Sequence, residues 1–194
     1  MKRREKYLFQ KRSLGQVFLT EDWPVQHYLR QLESWGAQRT LEIGPGNGIL
    51  TRALLAKGYA VTAVEKDDRF AERLNSHKEA MVADPSLLEV VNSDILKWDL
   101  EKWIAASGAP AAVVGNIPYN ISSPLVLMCL QHIDRLKGLI FMTQLEFAKR
   151  LVAPPNTKDY GSLSVFAQLR AKMVLDCKVE RRCFNPVPKV DSAI

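Results

Sequence analysis

The tetrapeptide Asn116-Ile117-Pro118-Tyr119 is the part of the sequence best suited to chemistry on a planar, amine-bearing base. An Asn side-chain oxygen can accept one N–H of an exocyclic amine, and a Tyr ring offers a flat face for stacking. Pro118 has no N–H to donate and stiffens the turn, which allows nearby backbone carbonyls to serve as a second acceptor. The competing interpretation is an ordinary turn after a strand, because Asn and Pro are both common in turns.

A second candidate site is the glycine-rich segment Glu42-Ile43-Gly44-Pro45-Gly46-Asn47-Gly48. Glycines let the backbone approach a ligand closely, and a following helix N-terminus presents free N–H groups. The G-x-G-x-G spacing differs from the G-x-G-x-x-G of dinucleotide-binding folds, which favours S-adenosylmethionine over NAD, although this segment alone leaves NAD open. We therefore expect Gly44, Gly46 and Gly48 to line a cofactor pocket, together with Asn116. Glu42 is expected to orient the loop or to contact the cofactor's amino group.

Two acidic residues end later predicted strands. Glu65 ends the second strand, about twenty residues beyond the loop, where a carboxylate can accept both hydroxyls of a ribose. Asp94 ends the third strand, where it can accept the exocyclic amine of the cofactor's adenine. The simpler interpretations are a solvated acid for Glu65 and a helix or turn cap for Asp94. Met142 and Gln144 end another strand and are candidates to line the pocket, although we favour core and helix-cap roles for them.

The elements that position these residues alternate between strand and helix patterns. Predicted helices span residues 24–35, 47–57, 68–76, 124–132, 145–152 and 162–170. Predicted strands span residues 40–43, 60–65, 88–94, 139–143 and 173–179, together with the apolar run that ends at Asn116. This rhythm predicts an α/β fold with a doubly wound parallel sheet and helices on both faces. The candidate residues then share the C-terminal edge of the sheet, where such folds bind ligands.

Three further segments complete the pattern. Residues 153–161 form a polar, Pro-containing loop, which is a candidate substrate lid. Residues 184–188 are predicted to be an extended linker, because both of its prolines disfavour helix. Residues 190–194 resemble the start of a strand, so we expect the chain to continue beyond Ile194.

The charge distribution points to a polyanionic partner. The 194 residues carry a formal net charge of +6. Basic residues crowd the N-terminus, and they are Lys2, Arg3, Arg4, Lys6, Lys11 and Arg12. We interpret them as an arm that contacts phosphates, with a disordered, solubilising tail as an equal alternative. Residues 1–22 are therefore predicted to be a basic arm that precedes the α/β domain of residues 23–194.

Several classes of protein are disfavoured by what the sequence lacks. No apolar run approaches a membrane span and no signal peptide is evident, so a cytoplasmic protein is expected. The cysteines form no CxxC pair and the histidines have no ligand spacing, so neither a disulfide framework nor a metal site is predicted. These residues are Cys129, Cys177, Cys183, His27, His77 and His132.

Four segments, in this order, resemble the ribosomal RNA adenine dimethyltransferases, and most closely the bacterial small-subunit branch of that family. They are Gly15-Gln16-Val17-Phe18-Leu19, residues 116–124, Tyr160-Gly161-Ser162-Leu163-Ser164-Val165 and residues 184–193. Val17 departs from the family pattern, which usually has an Asn that contacts the methionine end of the cofactor. A valine cannot make that side-chain contact, so weaker cofactor binding is expected. Leu19 matches the family and is expected to line the cofactor pocket.

The resemblance implies a Rossmann-like, seven-stranded S-adenosylmethionine-dependent methyltransferase sheet, with one antiparallel strand near its end. Residues 173–179 and 192–194 would supply the last pair of strands. It also implies a monomer that dimethylates the N6 amine of adenosine in small-subunit ribosomal RNA, and a small helical domain after residue 194. Phe184 would close on the face of the target base opposite Tyr119, although a lone aromatic is more often a core residue.

Other functions stay open from the sequence. A large-subunit rRNA adenine methyltransferase of the antibiotic-resistance type shares the central motif. A DNA adenine methyltransferase would more often have Pro in place of Ile117. A ribosome-assembly factor that binds RNA through a methyltransferase scaffold is the alternative from another class. A nicotinamide oxidoreductase is the most remote.

Overall fold

A central sheet organises the computed structural model, which describes residues 17–108 and 110–194. The strands are β1 (Phe18–Leu19), β2 (Arg39–Ile43), β3 (Ala60–Glu65), β4 (Leu88–Asn92), β5 (Ala111–Asn116), β6 (Gly138–Gln144), β7 (Lys178–Val179), β8 (Phe184–Asn185) and β9 (Ser192–Ala193). Seven of them form one sheet in the order β4-β3-β2-β5-β6-β9-β7. Neighbours from β4 to β6 are parallel, whereas β9 is antiparallel to both β6 and β7. This confirms the predicted seven-stranded sheet with one antiparallel strand near its end.

Helices cover both faces of this sheet, as predicted. They are α1 (Trp23–Ser34), α2 (Ile49–Ala56), α3 (Asp68–Ser76), α4 (Lys78–Met81), α5 (Leu100–Ser107), α6 (Ser122–Leu130), α7 (Leu145–Val152) and α8 (Ser162–Arg170). The short α4 and the amphipathic α5 were not predicted. Within the described residues, no helix combines the length and the apolar character that crossing a membrane requires.

The alternation of side chains along β5 divides the core into two layers. Ala112 and Val114 pack on the layer that contains α1 and α2. Ala111 and Val113 pack on the opposite layer with α5 and α6. Successive residues of a strand point to opposite faces, so a continuous apolar strand is the pattern of a sheet that is buried on both sides.

Two predicted elements near the end of the chain need correction. The strand predicted over residues 173–179 is reduced to Lys178–Val179, and the side chain of Val174 is exposed. The preceding residues lie at the sheet edge, where only two backbone hydrogen bonds, from Asp176 and to Cys177, join them to Ile194. The predicted linker contains a short strand, β8, which pairs antiparallel with β1. That pairing joins residues far apart in sequence, so local propensity could not reveal it.

Candidate active site

A pocket opens at the C-terminal ends of β2, β3, β5 and β6, the edge that the sequence predicts. Among its walls are seven of the predicted site residues, and these are Leu19, Glu42, Gly44, Gly46, Glu65, Asn116 and Pro118. Four other predicted site residues do not form its wall, and these are Gly48, Asp94, Tyr119 and Phe184. Strands β2 and β5 are adjacent and in parallel register, so the glycine loop and the Asn116 motif necessarily meet.

The glycine loop folds as a turn in which three glycines have positive φ. The φ angles of Gly44, Gly46 and Gly48 are 65°, 52° and 75°. A Cβ at Gly46 would lie 2.7 Å from Cε1 of Phe18, so the close approach of that ring requires glycine. A Cβ at Gly48 would lie 2.8 Å from Cδ2 of Leu74, so glycine at this position allows α3 to pack closely against the loop.

Glu65 holds this loop in place. Its Oε2 accepts a hydrogen bond from the Gly46 N–H at 3.0 Å, and its Oε1 accepts one from the Asp67 N–H at 2.9 Å. Burial raises the pKa of Glu65, and the two backbone hydrogen bonds oppose that rise. Glu65 therefore orients the loop, a role that the sequence suggested for Glu42. Its contact with ribose hydroxyls stays a prediction.

Glu42 is a buried acidic residue of the pocket wall whose surroundings suit it to ligand binding. It is only 2% exposed, and its Oε2 has no hydrogen-bond partner among the described residues. Burial raises its pKa from 4.5 to about 7, the hydroxyl and backbone of nearby Thr51 oppose the rise, and the negative charge of Glu65 adds to it. An unpaired carboxylate oxygen that faces a pocket is suited to a positively charged ligand group.

Asn116 is oriented by the backbone of the N-terminal segment. Its Nδ2 donates to the carbonyl oxygen of Val17 at 3.2 Å. This bond uses the donor end of the amide, so Oδ1 is the end that is available to accept a hydrogen bond. The contact comes from the main chain of residue 17. The departure of Val17 from the family pattern therefore leaves the orientation of Asn116 intact.

Tyr119 and Pro118 form the turn that follows Asn116. The Tyr119 hydroxyl lies 3.0 Å from Oγ of Ser192, a fully buried residue of β9. Partial burial raises the pKa of Tyr119. The Pro118 carbonyl accepts hydrogen bonds from the Ile121 N–H at 3.1 Å and from Oγ of Ser122 at 3.4 Å. Both lone pairs of the Pro118 carbonyl are therefore occupied. The carbonyl of the preceding residue, Ile117, is the better candidate to accept a further hydrogen bond.

In this structure Phe184 is a core residue and Asp94 is a turn cap, which are the simpler of the two roles predicted for each. Phe184 is 2% exposed, belongs to the core and faces Leu19 across the β1–β8 pair. Asp94 caps the turn after β4 by accepting the Leu96 N–H at 3.1 Å, and it accepts from Nζ of Lys66 at 2.9 Å. The Lys66 contact is the main reason that the pKa of Asp94 is lowered. Stacking by Phe184 and adenine recognition by Asp94 stay predictions.

Two pocket residues, Phe18 and Tyr28, escaped the sequence reasoning. Phe18 packs on Phe70, with ring centroids 5.0 Å apart, and covers Gly46. Met142 lines the pocket, which is the role that the sequence left open beside the favoured core role, and Gln144 does not line it. Tyr28 lines the same pocket and donates a hydrogen bond to a β5 carbonyl. The apolar spacing within α1 predicts burial of Tyr28 but carries no signal for the partner of its hydroxyl.

Other predicted features lie outside the pocket. The six basic residues of the N-terminal arm fall outside the described residues. The candidate lid, residues 153–161, is mostly exposed and contributes no residue to the pocket wall.

The described residues do bring one possible set of metal ligands together. The ligand atoms of His27, Asp176 and Cys177 lie within 4.8 Å of one another. Nδ1 of His27 lies 2.5 Å from Oδ2 of Asp176, and Nη2 of Arg30 lies 3.0 Å from the same nitrogen. A guanidinium at that position repels a cation. We therefore interpret these three residues as a polar contact between α1 and the segment before β7. The predicted absence of a metal stays a prediction.

Curated proteins with similar sequences include ribosomal RNA methyltransferases from several bacteria. A curated relative from Paracidovorax citrulli, a ribosomal RNA small subunit methyltransferase A, is 39% identical over 95% of this chain and 70% of its own length. The protein of the same name from Acinetobacter baylyi is 38% identical over 95% of this chain and 65% of its own length. The chain therefore spans about two thirds of the length of these curated relatives.

Two solved structures are similar to this chain in both sequence and fold. A dimethyladenosine transferase from Plasmodium falciparum superposes with a TM-score of 0.76 at 29% identity, over 91% of this chain and 61% of its own. The 23S rRNA methyltransferase ErmE superposes with a TM-score of 0.66 at 35% identity, over 91% of this chain and 67% of its own. The sequence profile of the family described as ribosomal RNA adenine dimethylase matches residues 8–194. From this match and from these relatives, the chain belongs to the ribosomal RNA adenine dimethylase family.

Proposed function

We propose that this chain transfers two methyl groups from S-adenosylmethionine to the N6 amine of adenosines in small-subunit ribosomal RNA. Membership of the family makes it an S-adenosylmethionine-dependent methyltransferase that acts on ribosomal RNA. The single observation that best supports the site is Asn116, which stands beside the pocket with its amide oriented by the Val17 carbonyl. The names of the curated relatives favour the small subunit as the substrate.

The residues present fit this cofactor. S-adenosylmethionine supplies an activated methyl group on a positively charged sulfur, and it also carries an ammonium group. The buried, unpaired oxygen of Glu42 is a suitable partner for that ammonium. Glu65 and the glycine loop would hold the ribose and the adjacent chain of the cofactor, while Leu19 and Phe18 cover them. No pyrophosphate has to be accommodated, which agrees with the G-x-G-x-G spacing.

The protein has to make a poor nucleophile, the N6 amine of adenine, react with the methyl group. The lone pair of an adenine amine is delocalised into the ring. Asn116 Oδ1 would accept one N–H, and the Ile117 carbonyl is the better candidate for the other, because the Pro118 carbonyl is engaged. Two acceptors draw the nitrogen towards tetrahedral geometry and stabilise the positive charge that develops on it. The N–H becomes acidic once the methyl is attached, so the proton leaves without a strong base. Holding the amine in line with the methyl group accounts for much of the remaining rate enhancement.

The target base has to leave its stack before it can reach this pocket. Tyr119 would then stack on one face of the base, and Ser192 holds its hydroxyl from behind. Phe184 would need to move out of the core to close on the other face. The basic N-terminal arm would contact RNA phosphates. The cytoplasmic location and the monomeric state belong to this proposal and stay predictions.

A large-subunit rRNA methyltransferase is the second candidate, since ErmE is 35% identical and covers 91% of this chain. The test is transfer of a labelled methyl group to hypomethylated small subunits and, in parallel, to naked large-subunit rRNA. Dimethyladenosine in the small-subunit RNA is the expected product. Label confined to the large-subunit RNA would favour the second candidate.

The Asn116→Ala variant separates an enzyme from an RNA-binding assembly factor. It should lose methyl transfer by about a hundredfold or more, because one stabilising acceptor is gone, yet bind RNA normally. A wild-type protein that binds cofactor but transfers no methyl group to either RNA would make the assembly-factor role the leading one.

A further inference from the structure

Tyr28 places a hydroxyl group beneath the candidate catalytic turn. Its side chain extends from α1 into the sheet, is 1% exposed and lines the same pocket as Asn116. The hydroxyl donates a hydrogen bond to the Gly115 carbonyl at 3.0 Å. Gly115 immediately precedes Asn116 in β5. The bond therefore acts on the backbone from which the Asn116 amide projects.

The backbone at this point is already confined on two sides. A Cβ at Gly115 would lie 2.6 Å from the Ile43 carbonyl oxygen, so β2 approaches too closely for any side chain. On the other side Asn116 is paired with Met142, and the Ile117 N–H donates to the Met142 carbonyl at 2.9 Å. The Tyr28 hydroxyl adds a third restraint, which comes from the helical layer and not from the sheet.

The hydroxyl is well suited to remain a donor. Burial raises the pKa of Tyr28, and the charge of nearby Glu42 adds to the rise. The group therefore stays protonated through the physiological range. A hydrogen bond buried this deeply is costly to lose, because the carbonyl has no access to water.

We propose that Tyr28 is a positioning residue for methyl transfer, whose hydroxyl fixes the Gly115 carbonyl and thereby the direction of the Asn116 side chain. Asn116 is then held from two sides. The Val17 carbonyl fixes the rotation of its amide, and Tyr28 fixes the backbone that carries it. This inference rests on the proposed function, because it matters only if Asn116 accepts a hydrogen bond from the reacting amine.

The test replaces Tyr28 with Phe, which fills the same volume and removes only the hydroxyl. Misplacing a reactive group by a fraction of an ångström to 1 Å reduces rates by up to about a hundredfold. We expect Tyr28→Phe to lower kcat about 10- to 100-fold, while the Kd for S-adenosylmethionine and the KM for RNA change less than about threefold. Calorimetry at pH 8 gives the Kd, and labelled-methyl transfer gives kcat and KM. If the Phe variant fails to fold, Tyr28→Met provides the same comparison.

Thr62→Val is the matched control for a merely structural effect. Thr62 is buried in β3, accepts from Nε1 of Trp103 at 3.1 Å and donates to Oε2 of Glu89 at 3.1 Å. Its loss should lower the melting temperature comparably but leave kcat unchanged. The proposal is overturned if Tyr28→Phe retains kcat within about threefold of wild type, or if Thr62→Val loses as much kcat. An inactive wild-type protein would instead refute the proposed function.

Discussion

Replacing Glu42 with Gln should make the cofactor-free protein more stable at alkaline pH. The pKa of Glu42 is about 7 in the fold, against an ordinary value of 4.5 for the unfolded chain. A folded-state pKa that is raised means that the stabilising contribution is complete below pH 4.5 and is lost as the pH rises through 7. Each pH unit of that interval corresponds to about 1.4 kcal/mol, so ionised Glu42 destabilises the fold by about 3 kcal/mol at pH 8.

Urea denaturation at pH 5, 6, 7 and 8 measures this difference directly. Wild type should lose up to about 3 kcal/mol more of its free energy of unfolding between pH 5 and pH 8 than Glu42→Gln does. The glutamine is neutral at every pH, so its curve lacks this component. Glu72→Gln, at an exposed position of α3, is the control and should follow the wild-type curve. Parallel pH profiles for wild type and Glu42→Gln would refute the reasoning.

The same ionisation should control cofactor binding with the opposite sign. An ammonium group requires the ionised carboxylate, and the ionised fraction of a group with a pKa of about 7 rises about fivefold between pH 6 and pH 7, where an α-amino group remains protonated. The Kd of wild type for S-adenosylmethionine should therefore fall about fivefold over that range. Glu42→Gln should bind weakly at every pH. A wild-type Kd that does not depend on pH would show that Glu42 does not meet the ammonium.

Two further substitutions test the rest of the site. Gly46→Ala places a methyl group 2.7 Å from the Phe18 ring at a φ of 52°, so calorimetry should show at least about tenfold weaker cofactor binding; unchanged affinity would mean that the ring moves freely. Ser192→Ala releases the Tyr119 hydroxyl, and in labelled-methyl assays the KM for RNA should rise about three- to tenfold while the Kd for cofactor stays constant. A change in cofactor affinity of the same size would instead indicate a general disturbance of β9.

Most strands of the sheet could be predicted because each can be recognised from its own local sequence. The apolar runs that become β2, β3 and β5 are bounded by turn residues, and their order with the intervening helices specifies a parallel sheet. The short strands were less predictable, because β7 and β9 occupy only part of the predicted segments 173–179 and 190–194, and β1 and β8 were not predicted as strands. β1, β7, β8 and β9 have two residues each and exist only because distant partners pair with them. Residue propensity has little influence over so short a length.

Within the site, the order of residues along the chain is enough to predict which residue types reach the ligand edge. The glycine loop, two carboxylates and the Asn-Ile-Pro-Tyr turn all follow strands, and parallel strands end at a common edge. The role of each residue depends on the folded structure. Glu65 holds the loop and Glu42 keeps an unpaired oxygen, whereas the sequence left Glu42 with either the loop role or a contact with the cofactor's amino group. The contact of Tyr28 with Gly115 likewise joins α1 to β5. The direction of a side chain and its desolvation depend on atoms from distant segments, which no local pattern contains.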